Sequence, residues 1–213
     1  MNVPDAKLSR GNINHALTNH QGATNEELLA TLEIGELERE KLRLILEILN
    51  HPEFAELVEE GKITFGIVKP RRDQAIRMQG TDEENTERLI EAIQPPLQVV
   101  IRQDLFFPRE IVEDLYTHLR PLAEGTVFAR VVRDMCSTAT TILVLFDPDG
   151  NAVQEFREQI GPTRADPNEA GETLRHRFGA GVENNAIHGS DGVENVKREL
   201  GFFKQLLELL DRG

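Results

Sequence analysis

Ile63-Thr64-Phe65-Gly66-Ile67-Val68 is the stretch on which the fold turns. It is a short, nearly continuous apolar run with β-branched side chains, and Lys69-Pro70 ends it, so it reads as a buried strand. Downstream, Glu83 to Ile93 reads as a helix and Leu97-Gln98-Val99-Val100-Ile101 as a second strand. Pro108 to Leu119 reads as a helix with proline in its first turn, and Val127 to Met135 as a short helix or irregular piece. Thr140 to Phe146 is a third strand, closed by the turn Asp147-Pro148-Asp149-Gly150. Asn151 to Ile160 reads as a helix, and Gly161 to Gly171 as a loop rich in Gly, Pro and Asp. A short fourth strand, Asn185 to His188, leads into a C-terminal helix from about Gly192 to Leu210. The order β-α-β-α-β-α-β predicts an α+β fold, a ferredoxin-like four-stranded antiparallel sheet with helices packed on it.

Upstream of Ile63 the texture differs. Residues 1 to about 23 have little apolar content and read as a mobile tail. Thr24-Asn25-Glu26-Glu27 has the form of a capping box, in which Thr24 and Glu27 satisfy each other's backbone donors at a helix start. Leu28, Leu29, Leu32, Leu37, Leu42, Ile45, Leu46 and Leu49 follow at mostly helical spacing, with Gly35 as a break. His51-Pro52 restarts a helix carrying Phe54, Leu57 and Val58, and Gly61 stops it. Two units are therefore expected: a tail and helical extension over 1–61, and a domain over 62–213. An amphipathic helix pair of this kind packs on its own domain or on a sister subunit.

Composition narrows the function. The formal net charge of −13 excludes bulk electrostatic binding to nucleic acid or to an anionic membrane surface. No apolar run approaches the roughly 18 residues that cross a bilayer. The opening Met1-Asn2-Val3-Pro4-Asp5-Ala6-Lys7 is not the start of a secretory signal. With Cys136 as the single cysteine, a reducing cytoplasmic setting is expected. There is no phosphate-binding Gly-x-x-x-x-Gly-Lys-Ser/Thr loop, and the histidines show no metal-ligand spacing.

The chemistry concentrates in Asn185-Ala186-Ile187-His188-Gly189-Ser190-Asp191. His188 falls at a strand end, Gly189 leaves room beside the imidazole, and Ser190 or Asp191 can cap the next helix. An imidazole placed so can present one nitrogen outward while the other is held, which suits a nucleophile toward phosphorus. Glu199, two to three turns into the following helix, is the carboxylate within plausible reach. A lone histidine at a strand end is more often structural.

The stretch Asn185 through Phe203 resembles the active-site signature of nucleoside diphosphate kinases. Further likeness lies in Thr64 to Pro70, in Gly150-Asn151-Ala152-Val153 with Arg157 and Gly161-Pro162-Thr163, and in Thr173-Leu174-Arg175 with Phe178-Gly179. It runs from about residue 62 to 207 and leaves the first 61 residues uncovered. The resemblance implies transfer of the γ-phosphate of a nucleoside triphosphate to a nucleoside diphosphate through a phosphohistidine, with ping-pong kinetics. It implies His188 as the nucleophile and Glu199 as the group fixing its tautomer. Arg157, Thr163 and Arg175 would bind the β- and γ-phosphates, and Lys69 the ribose 3′-hydroxyl and a phosphate oxygen. Asn185 would hold the sugar hydroxyl, and Tyr116 would stand beside the histidine and lysine. Val182 and an apolar residue near Val127 or Phe128 would sandwich the base. Mg2+ would come with the nucleotide, and the chain would form a hexamer or tetramer of identical subunits.

The chain also departs from the family pattern. Arg71-Arg72 replaces an acidic and a small residue, and Arg164-Ala165 is inserted after Thr163. Gly171-Glu172-Thr173 replaces Pro-Gly-Thr, and Gly192 stands where the signature has its last serine. His118 stands two places after Tyr116 where the family has a histidine three places on, and the expected Pro-Phe-Phe is missing. These changes touch the pocket's rim, and they set the alternative expectation of a nucleotide-binding or regulatory member with little turnover.

Overall fold

A computed structural model describes residues 36–70, 81–121, 126–163, 171–179 and 184–211. The expected tail, the Thr24–Glu27 capping box, Gly35, Arg71-Arg72, Arg164-Ala165 and Val182 lie outside these residues.

The first strand, β1 (Ile63–Val68), is buried along its whole length. It lies between β3 (Thr140–Phe146) and β4 (Ile187–Gly189), and β2 (Gln98–Leu105) completes the sheet beyond β3. The order is β2-β3-β1-β4, and each neighbouring pair is antiparallel. This is the expected ferredoxin-like sheet. The apolar run of β1 is continuous because helices cover both faces. Ile63, Phe65 and Ile67 point into one apolar cluster with Ile142 and Val144. Val68 points into a second with Leu143, Leu145 and Ile187.

The first cluster is closed by α1 (Glu36–Leu49), α2 (Pro52–Glu59), α4 (Arg109–Leu115), α5 (Thr126–Met135), α8 (Val193–Leu200) and α9 (Phe202–Leu210). Phe202 sits at its centre, edge-on to Phe65 at 6.3 Å and to Phe107 at 6.4 Å between ring centroids. The second cluster is closed by α3 (Asp82–Glu91), α6 (Ala152–Ile160) and α7 (Leu174–Phe178).

Local chemistry fixes the element ends. Thr81 and Glu84 form a capping box on α3, each side chain bonding the other's backbone N–H. Pro52 occupies the first turn of α2. That helix ends in a Schellman motif, with Lys62 N–H donating to Leu57 O at 2.9 Å and Gly61 N–H to Val58 O at 3.1 Å. Gly61 takes φ 71° there, and a Cβ on it would stand 2.7 Å from the Gly150 carbonyl oxygen. The joint between extension and sheet is thus packed against the turn after β3, where Asp147 N–H donates to Lys62 O at 2.8 Å. Leu42, Ile45, Phe54 and Val58 are buried in the same cluster as Phe65 and Phe203, so the extension packs on the chain's own sheet and helices.

Several elements differ from the sequence reading. β2 runs on to Leu105, four residues past the expected Ile101, because its polar residues find partners there: Arg102 pairs with Glu87 on α3, and Asp104 accepts from the Thr141 hydroxyl on β3. The helix expected over Pro108–Leu119 stops at Leu115 and gives way to a 3-10 turn at Thr117–Leu119. The C-terminal helix divides at Gly201, and α7 falls in a stretch not assigned from sequence.

Candidate functional site

Two glycines set how closely α6 meets the strands that carry the site. Gly66 in β1 and Gly189 in β4 are register partners. A Cβ on Gly66 would stand 2.7 Å from the Phe156 ring, and one on Gly189 2.4 Å from the Ile160 side chain. The role expected for Gly189, room beside the imidazole, is corrected by this: it makes room for α6. The bare patch lets α6 lie close on the strands, and Arg157, exposed on that helix, is near enough for its charge to act on Arg175.

Before β4 the chain makes a tight γ-turn. Ile187 N–H donates to Asn185 O at 2.7 Å, and Ala186 between them takes φ 62°. The strand therefore begins at Ile187, two residues later than expected, and Asn185 and Ala186 belong to the turn. Lys69 N–H donates to Ala186 O at 2.9 Å, tying the turn to the end of β1.

His188 follows, opposite Ile67. Its Nε2 lies 3.0 Å from Glu199 Oε1 on α8. Glu199 is 1% exposed, and a buried carboxylate is stable there only with donors on both oxygens. Ser190 supplies the second, its hydroxyl donating to Glu199 Oε2 at 2.5 Å while its backbone N–H donates to Phe65 O at 3.1 Å. With Glu199 ionised, Nε2 carries the imidazole proton and Nδ1 keeps a free lone pair. Ser190 thus does not cap α8. Sequence reading missed its part, because the contact spans nine residues and depends on how β4 meets α8. Arg198 adds positive charge behind the pair, 3.5 Å from Glu199 Oε1 and 3.7 Å from Asp114 Oδ2.

Arg175, on α7, is 5% exposed. Its guanidinium donates to Ile187 O at 3.1 and 3.2 Å, to Gly161 O at 2.9 Å and to Thr163 Oγ1 at 3.3 Å. It therefore fixes the start of β4 and the end of α6 as well as contributing charge. Burial, helped by the nearby Arg157, lowers its pKa to about 10. Lys69 and Tyr116 form the other wall. Lys69 Nζ lies 5.2 Å from the Tyr116 ring centroid, and that ring lies 6.4 Å from the His188 ring. Burial, and then the charge of Glu199, push the Tyr116 phenol well above its ordinary range. The Tyr116 hydroxyl and Asn185 Oδ1 are buried without a hydrogen-bond partner. His118 stands 6.2 Å from the Tyr116 ring, and burial followed by the charge of His188 lowers its pKa. His118 thus lies beside this wall despite its altered spacing.

The structure draws His188, Glu199, Tyr116 and Lys69 together through these contacts, with Arg175, Thr163, Arg157 and Asn185 around them. Phe128 lies on α5, and the Arg120 guanidinium covers its ring at 4.5 Å from the centroid. Among the described residues, no group of three or more His, Cys, Asp or Glu side chains is placed to hold a metal ion, and no helix is long and apolar enough to cross a membrane.

Residues 63–208 match the family model for nucleoside diphosphate kinase. The chain belongs to the nucleoside diphosphate kinase family. A nucleoside diphosphate kinase of Oleidesulfovibrio alaskensis is 32% identical over 148 residues, covering 68% of this chain and 96% of that protein. One from Histophilus somni is 33% identical over 115 residues, covering 54% of this chain and 77% of that protein. The crystal structure of a nucleoside diphosphate kinase from Encephalitozoon cuniculi is similar with a TM-score of 0.53 and 30% identity, over 66% of this chain and 86% of that one. As a nucleoside diphosphate kinase the chain is a phosphotransferase, and its substrates are nucleotides.

Proposed function

We propose the residue-level course by which this nucleoside diphosphate kinase moves a γ-phosphate from a nucleoside triphosphate to a nucleoside diphosphate. His188 Nδ1 attacks the γ-phosphorus in line with the β,γ-bridging oxygen. The bond to that oxygen breaks, its electron pair leaves with the diphosphate, and His188 carries the phosphoryl group. Glu199 holds Nε2–H throughout and balances the positive charge that grows on the ring. An incoming diphosphate then attacks the same phosphorus, and the P–N bond returns its electrons to Nδ1. The observation that carries this reading is the 3.0 Å contact of His188 Nε2 with Glu199, which commits one ring nitrogen and leaves the other free.

Arg157, Arg175 and Thr163 are proposed to meet the β- and γ-phosphates, where guanidinium groups match phosphate oxygens and stabilise charge in flight. Lys69 is proposed to hold the ribose 3′-hydroxyl and a phosphate oxygen, and Asn185 the sugar hydroxyl, with Tyr116 backing Lys69. The unpartnered Asn185 Oδ1 and Tyr116 hydroxyl support this, since a bound ribose and phosphate bring the missing partners. Val182 stays a proposed base contact, as does Phe128 once Arg120 moves aside. Lys69, Arg157 and Arg175 give the lining basic groups suited to phosphate, and the described residues form no carboxylate cage, so magnesium is proposed to arrive with the nucleotide, where it would offset phosphate charge. The catalytic unit is proposed as 62–213, with 1–61 as its extension, in a cytoplasmic homo-oligomer of four or six subunits. Support for assembly comes from the open edge of β2 with Val100 half-exposed, and from Leu44 and Ile48 exposed on α1.

The test is the phosphoenzyme. Incubation with γ-labelled ATP is expected to leave acid-labile, base-stable label on the wild-type chain. Double-reciprocal plots with GDP, UDP or CDP as acceptor are expected to be parallel. Nucleotide binding without label or turnover would overturn the mechanism.

A further inference from the structure

Lys69 ends β1 in surroundings poor for an ammonium group. It is 7% exposed, it lies against the face of an aromatic ring, and among the described residues no carboxylate pairs with it. Its charged and titratable neighbours come from every element that closes the pocket. Helix α7 gives Arg175, whose charge acts on Lys69 directly, and α6 gives Arg157 beside Arg175. The end of α4 gives Tyr116, and the 3-10 turn gives His118, which senses Lys69, His188, Arg198 and Asp191. Strand β4 gives His188, and α8 gives Glu199. The charge of Glu199 reaches Tyr116, but its two oxygens are committed to His188 and Ser190. The lining is thus mostly cationic, and its lysine is both desolvated and repelled. Those two causes, burial first and Arg175 second, bring the Lys69 pKa from the ordinary lysine range down to about 7.

On the reading of this pocket as the nucleotide site, we propose that Lys69 in the empty enzyme loses its charge on the alkaline side of neutrality and takes up a proton from solvent as a nucleotide's phosphates enter. The Nζ lone pair accepts the proton, an N–H bond forms, and the buffer supplies it. Phosphate oxygens favour the ammonium form by placing negative charge beside it. Departure of the nucleotide returns the proton, so above neutrality the site does not hold an unpaired ammonium between turnovers.

The sign follows from the pKa. Below about pH 6 Lys69 is already charged and binding takes up almost no proton. Uptake rises through neutrality, reaches about nine-tenths of a proton per site at pH 8, and fades when pH passes the raised value in the complex. Nucleotide affinity therefore weakens by up to about tenfold per pH unit above neutrality, as linkage requires.

The experiment is calorimetric titration of the full chain with ADP at pH 6 and pH 8, in buffers of different ionisation heat. At pH 8 the ADP phosphates are ionised, so any net uptake comes from the protein. Wild type is expected to take up close to one proton at pH 8; at pH 6, where ADP's own terminal phosphate contributes a proton to either titration, wild type and Lys69→Arg are expected to differ by almost none. Lys69→Arg and Lys69→Gln are expected to take up none at pH 8, while His118→Gln and His188→Gln keep the uptake. In the free enzyme with 13C-labelled lysine, one ε-carbon resonance is expected to titrate near pH 7 and to be missing from Lys69→Arg. ADP binding without proton uptake at pH 8, or uptake persisting in both Lys69 variants, overturns the proposal. No ADP binding by the wild type would overturn the nucleotide-site reading beneath it.

Discussion

The wall of the pocket that carries His188 and the wall that carries Lys69 and Tyr116 differ in how their polar atoms are settled. Around His188, Nε2 has Glu199, Glu199 has Ser190 on its other oxygen, and Ser190 N–H has the Phe65 carbonyl. Across the pocket the Tyr116 hydroxyl is buried with no partner, as is Asn185 Oδ1 in the turn that ties β4 to Lys69, and Lys69 has an aromatic ring where a carboxylate would stabilise it. An unsatisfied buried polar group costs about 1–3 kcal/mol, so the second wall weakens the empty fold while the first supports it. The difference separates two tasks. The proposed reacting atom is held ready before substrate arrives, which would remove reorganisation from the chemical step. The proposed binding groups are left incomplete, so that nucleotide oxygens complete them.

Substitutions can break that contrast or sharpen it. His188→Gln is expected to have the largest effect: no phosphoenzyme and a fall in transfer of at least about four decades. Its melting temperature should stay within about 4 °C of wild type. Full labelling in this variant would move the nucleophile elsewhere. Glu199→Gln keeps the size and loses the charge, and single-turnover phosphorylation should slow by about one to three decades. A wild-type rate would mean that another group orients the ring. Ser190→Ala leaves a buried carboxylate oxygen without its donor. Unfolding should become easier by about 1–2 kcal/mol, with transfer slower by roughly tenfold. Tyr116→Phe removes a hydroxyl that has no partner in the empty site, so the free protein should be as stable as wild type or up to about 1 kcal/mol more stable. ADP should bind it roughly fivefold more weakly. If Tyr116→Phe destabilised the free protein as much as Ser190→Ala, the two walls would not differ as described.

Much of this arrangement could be read from sequence where the signal was local. Ile63–Val68 and Thr140–Phe146 coincide with the expected strands because each is an apolar run between clear stops. His188 and Glu199 were readable as a pair because eleven residues of strand end and helix bring them to a common side. Features set by tertiary contact were not readable. Gly189 serves the approach of α6, which shows only once Phe156 and Ile160 are seen above the sheet. The γ-turn at Ala186 hides in a stretch that alternates like a strand, since its positive φ is held by the Lys69 N–H on a neighbouring strand end. Thr117–Leu119 has helical composition, yet Tyr116 at φ −105° and ψ 16° stops the α-helix where its ring turns toward His188. That Arg120 lies over the Phe128 ring is likewise announced by no local pattern.

The family match covers residues 63–208, while Leu42, Phe54 and Val58 lie before it and are buried with Phe202 and Phe203. That shared core gives the two leading helices a bearing on the protein as a solute. Trimmed to the family's own borders, the chain would carry an oily scar along α9 where α1 had lain. A surface of that kind collects copies of itself as concentration rises. Whether such a shortened enzyme stayed in solution would be decided far from His188, by a few leucines and a phenylalanine that never approach a phosphate.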